Sequence, residues 1–94
     1  MSEPQSLADV RSRIDDLDTQ VVALLARRQR LVEAAAGFKP DEYAVRAPDR
    51  VEQVVATVRA KATAAGLDPA VAESVWRAMI AAFIDLELSQ HRKP

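Results

Sequence analysis

The chain has 94 residues, 49% of them hydrophobic but only 4% aromatic, with two glycines. That is enough for one domain with a thin core if it stands alone. Its 13 basic and 14 acidic residues are interspersed and sum to a net charge of −1, which argues against a nucleic-acid or anionic-membrane surface. The absence of cysteine excludes disulfides and thiolate metal sites, and a single histidine excludes a histidine-rich metal centre, so no cofactor or metal is expected.

The richness in Ala, Leu, Val and Arg suits helices and is poor in the turn chemistry of sheets. The opening Met-Ser-Glu-Pro-Gln-Ser is polar and no apolar run approaches membrane-spanning length, so a cytoplasmic protein without a signal peptide is expected.

The first predicted element is a helix over residues 7–36. Ser6 with Asp9 three residues on resembles a capping box, and Gly37 and Pro40 end the pattern. Stepping by four and three along it gives Val10, Ile14, Leu17, Val21, Leu24, Arg28, Leu31 and Ala35. One guanidinium therefore occupies an apolar line. Arginine cannot shed its proton, so burying it unpaired costs several kcal/mol. Either an acid from another helix pairs with Arg28 or a bound anion does; the anion is the favoured alternative. Such a helix is roughly 45 Å long, whereas a compact 94-residue globule is only about 32 Å across. An apolar line that protrudes needs a partner, and a homodimer follows.

Residues 38–47 read as a loop. A second helix over 48–65 opens on Pro48, carries Val51, Val55, Val58 and Ala62 on one stripe and closes at Gly66. A third, over 69–90, starts from Asp68-Pro69 and aligns Trp76, Ile80, Phe83 and Glu87, so a second charged group continues an apolar line. Trp76, Met79 and Phe83 are expected in the core, and His91 in an exposed tail. The expected fold is all-α: residues 1–94 as a single domain of one long, one short and one medium helix, in an intertwined homodimeric bundle.

Arg11 and Lys39 join Arg28 and Glu87 by spacing. Arg11 and Arg28 lie 17 residues apart, so they stand roughly 25 Å apart along one helix and cannot reach one small ligand from the same chain. In an antiparallel pair of long helices, Arg11 of one copy approaches Arg28 of the other. Lys39 follows Arg28 by close to three turns and starts on its face. Two arginines, a lysine and a carboxyl suit a small dianion, the arginine forks gripping carboxylates and the lysine acting as a point charge. Plainer accounts stand beside this one. Asp15 one turn ahead offers Arg11 an ordinary ion pair. Lys39 is otherwise a solvated loop lysine, and Glu87 is otherwise the acid that pairs with Arg28 or a seam-edge residue near a helix end.

The pattern Leu7-x-x-x-Arg11-x-x-Ile14-Asp15-x-Leu17-Asp18, then Leu24-Leu25-Ala26-x-Arg28, then Lys39, resembles the small all-helical chorismate mutase family. Phe38-Lys39 followed by Ala47-Pro48-Asp49-Arg50-Val51 is similar to the branch that includes isochorismate pyruvate lyases. The resemblance spans nearly all of residues 7–90 and implies an intertwined dimer with two equivalent sites. It implies that Arg28 clamps a substrate carboxylate, that Arg11 arrives from the neighbouring chain, and that Arg50 is a further basic substrate-binding residue. Lys39 then donates to the ether oxygen of the breaking C–O bond, with Glu87 where many members carry Gln as the second donor. Three departures stand out: Val51 where typical mutases have glutamate, Phe83 in place of a small polar residue, and Glu87 itself, which donates only when protonated.

The implied activity is rearrangement of chorismate to prephenate without a covalent intermediate. Isochorismate pyruvate lyase and a mutase of amino-substituted chorismate are the nearest rivals. A non-catalytic helical dimerisation module is the rival from another class.

Overall fold

The computed structural model describes residues 2–91. Four helices follow one another: α1 (Leu7–Ala36), α2 (Glu42–Arg46), α3 (Pro48–Ala65) and α4 (Pro69–His91). No strand occurs among the described residues, and no helix there is long and apolar enough to cross a membrane. The caps of the three long helices act as the residues there dictate. The Ser6 hydroxyl accepts the Asp9 N–H at 3.0 Å, while the Asp9 carboxylate accepts the N–H of Gln5 at 3.0 Å. Two N-terminal donors are thereby satisfied. Gly66, at φ 81°, closes α3 in the left-handed conformation that glycine adopts without steric cost. Asp68 Oδ1 then accepts the Ala70 N–H at 2.9 Å to open α4.

The expected loop over 38–47 contains a helical turn and a half. Asp41 caps α2 by accepting the Ala44 N–H at 2.9 Å, with Glu42 in its first turn and Arg46 in its last, each matched to the helix dipole. Ala47 then serves two helices. Its N–H bonds to the Tyr43 carbonyl as the C-cap of α2, and its own carbonyl accepts the Val51 N–H to begin α3. It does so at φ 38°, a left-handed backbone that costs a residue with a Cβ about 1–2 kcal/mol.

The chain divides into two compact units after Leu31. The first is most of α1. None of that helix's residues is buried, and its apolar line stands open, with Leu17 57% and Leu24 58% exposed. Its early ion pair joins Arg13 to Asp9 at 3.1 Å, rather than Arg11 to Asp15.

In the second unit α3 and α2 both pack on α4. Val45, Val55, Ala62, Ala72 and Leu88 form the core. Val55 and Ala62 fall on the stripe expected for the second long helix, with Val51 and Val58 half-buried beside them. Trp76, Met79 and Phe83, expected in the core, are only half-buried. Outside this small core, Arg77 bridges α4 to α3 by reaching both carboxylate oxygens of Glu52 at 2.8 and 2.9 Å, and it also bonds Glu73 at 2.7 Å. Arg59 completes the network on Glu73 at 2.8 Å. The arginine holds the carboxyls of Glu52 and Glu73 below their ordinary value of 4.5, chiefly through these hydrogen bonds.

Candidate active site

Lys39 leaves the end of α1 on a tight turn in which Gly37, Phe38 and Lys39 donate their N–H groups to the carbonyls of Ala34, Ala35 and Ala36. Each bond reaches back three residues, so the last turn of α1 tightens and spends its carbonyls on the chain's own exit. The lysine stem then runs to α4. Its ammonium donates to both carboxylate oxygens of Glu87, at 2.9 and 3.2 Å. The two residues are 48 apart in sequence. Glu87 has a side chain only 5% exposed, against 25% for Lys39. A carboxylate this deeply buried needs a charged or hydrogen-bonding partner, and the lysine supplies both. No buried side-chain nitrogen or oxygen among the described residues is left without a partner.

The structure gives Lys39 as a partner of Glu87. The charged break in the α4 line is thus explained inside the second unit. Arg50 stands in the first turn of α3, exposed, with its guanidinium donating to Gln53 at 2.8 Å. Val51 beside it is half-buried, as is Phe83 on α4. In the first unit, Arg11 is exposed and Arg28 half-buried on the same unbroken helix. Their separation of roughly 25 Å along the axis is therefore real in one chain.

Two residues outside the candidate set belong to the Lys39 neighbourhood. His91 extends α4 by one residue beyond the expected end, and its ring Nε2 lies 3.1 Å from the Lys39 carbonyl. Gln90 donates to Glu33 at 2.9 Å. Their spacing from Glu87 is the available signal, since residues three and four further along a helix share its face.

What the arrangement offers chemically is an ammonium with three N–H donors, held at the edge of an apolar core by a buried acid. Such a group delivers concentrated positive charge to an oxygen without any proton having to leave it.

An all-helical chain with these residues in these places falls into a recognisable class. Residues 10–88 match the family model described as chorismate mutase type II. The chain is also 34% identical over 87 residues to the isochorismate pyruvate lyase of Pseudomonas aeruginosa, covering 93% of this chain and 86% of the relative. The chain belongs to the chorismate mutase type II family, and is an enzyme of that superfamily.

Proposed function

We propose that the protein is a chorismate mutase working as an intertwined homodimer, each chain being one domain. The observation that carries this is the pairing of Lys39 with Glu87, which brings together the two residues that the family likeness sets at the ether oxygen. The bare apolar line of α1 supports the dimer, because a helix with no buried residue leaves its hydrophobic face for another chain to cover.

In this mechanism Arg28 and Arg11 of the partner subunit grip the two carboxylates of chorismate, and Arg50 adds positive charge at the rim. The clamps hold the enolpyruvyl arm over the ring, so the entropy of reaching the reactive shape is lost on binding rather than at the barrier. As the C–O bond breaks and the new C–C bond forms, negative charge grows on the ether oxygen. Lys39 donates to that oxygen. No proton changes hands and no covalent adduct forms. Glu87 aims the ammonium. By accepting from the ammonium it also neutralises part of the lysine's charge.

The second possibility is an isochorismate pyruvate lyase, which breaks the same kind of enolpyruvyl C–O bond. The similarity to the Pseudomonas aeruginosa lyase favours it, as does the apolar Val51 where typical mutases carry glutamate. A mutase of an amino-substituted chorismate would use the same clamps. Incubation of purified protein with chorismate, isochorismate and an amino-substituted chorismate separately, followed by product identification, tests all of these. Prephenate from chorismate is expected. Pyruvate released only from isochorismate overturns the mutase in favour of the lyase, turnover of the amino-substituted substrate alone favours the third reading, and no turnover of any favours a non-catalytic dimerisation module.

A further inference from the structure

The last turn of α4 holds Lys39 at both ends. Glu87 takes its ammonium; one helical turn on, His91 meets its backbone carbonyl at 3.1 Å. A carbonyl can only accept, so the His91 Nε2 carries the hydrogen in this bond. Between them, Gln90 donates at 2.9 Å to Glu33, in the last turn of α1 six residues ahead of Lys39. Two contacts thus tie the segment that carries Lys39 to one face of α4, and neither takes part in the reaction proposed above.

We infer that His91 and Gln90 are positioning residues for Lys39, an inference that rests on the proposed role of that lysine. A lysine has a flexible four-carbon stem and a point charge at its tip. Glu87 fixes that tip. Once a substrate oxygen draws the ammonium, the Glu87 contact must stretch, and the tip is no longer anchored by it alone. The base of the side chain then has to be held by something the substrate does not disturb. The bond from His91 to the Lys39 carbonyl does this, and the Gln90–Glu33 bond steadies the helix end from which the turn departs. Misplacement of a reacting group by about 1 Å can cost two orders of magnitude in rate.

The test uses the full chain and three variants: His91→Ala, His91→Gln and Lys39→Ala. Loss of one neutral hydrogen bond behind the reacting group predicts a fall in kcat of about tenfold for His91→Ala, with KM within about twofold of wild type. His91→Gln restores an N–H donor near the same place and should recover most of kcat. Amide exchange at Lys39 and Asp41 should quicken in His91→Ala, while the amides of Val55 and Ala62 in the core of α3 stay unchanged. Wild-type kcat in His91→Ala beside an inactive Lys39→Ala overturns the inference while leaving the role of Lys39 intact. Unchanged exchange at Lys39 also overturns it, whatever the activity. Wild-type turnover by Lys39→Ala removes the catalytic assignment, and the positioning role falls with it.

Discussion

Replacing Lys39 by alanine should damage the protein twice, and the two effects are separable. Breaking a fully buried ion pair by deleting one partner costs about 3–5 kcal/mol, because the remaining charge is stranded. Glu87 is almost fully buried, but the Lys39 side chain is a quarter exposed. Water therefore reaches the vacated end of the carboxylate, and about 2–3 kcal/mol is the expected loss here. With a urea slope of about 1–2 kcal/mol/M for a chain of this size, the unfolding midpoint should fall by roughly 1–3 M at fixed protein concentration. Adding Glu87→Met to Lys39→Ala removes the stranded charge and should recover most of that loss. On the catalytic side, losing the donor to the ether oxygen costs about 3–4 kcal/mol of barrier, a rate lower by roughly two to three orders of magnitude. The double variant should be stable again and still inactive. A Lys39→Ala protein as stable as wild type, or a double variant that loses the sum of the two single effects, refutes the pairing as an energetic contact.

Inactive Arg11→Ala and Arg28→Ala chains, when unfolded and refolded together, should regain about a quarter of wild-type activity, since half the dimers are mixed and each has one intact site; no recovery on mixing refutes the shared site. The carboxyls of Glu52 and Glu73 are held below 4.5 by Arg77, so their contribution to stability is present above that pH and is lost as pH falls through their lower folded values. Acid titration of stability should therefore be shallower below pH 4.5 in Arg77→Met than in wild type, and superimposable slopes refute the linkage.

Helix boundaries were readable because they rest on local chemistry. Ser6, Pro48, Gly66 and Asp68 each act within a few residues of themselves, and the structure puts the long helices where those residues stand. The short α2 escaped because five residues are too few for a hydrophobic period, and Pro40 dominated the pattern around it. Asp41 followed by Glu42 was the signal available. The apolar lines of α3 and α4 were equally plain, but periodicity ranks faces rather than depths, so half-buried Trp76 and Phe83 looked like core.

At the site, an apolar line broken by a charge singles out Glu87, which the structure buries against Lys39. It did not say which cation would meet it, since that depends on how the chain folds back over 48 residues. His91 reads from sequence as an exposed tail residue for the same reason. Its contact is with a backbone oxygen, which has no residue identity for a sequence pattern to detect.

Ala47 leaves no slack between α2 and α3, since a single alanine ends one and starts the other. Inserting or deleting one amino acid there would shift α3 against α2, because neither helix has a spare residue to absorb the change. Either α3 would keep its arginine–glutamate links to α4 and drag α2 out of place, or α2 would stay and Glu52 would swing away from Arg77. Chain length at this junction is therefore quantised: variation in side chains is tolerable, variation in spacing is not.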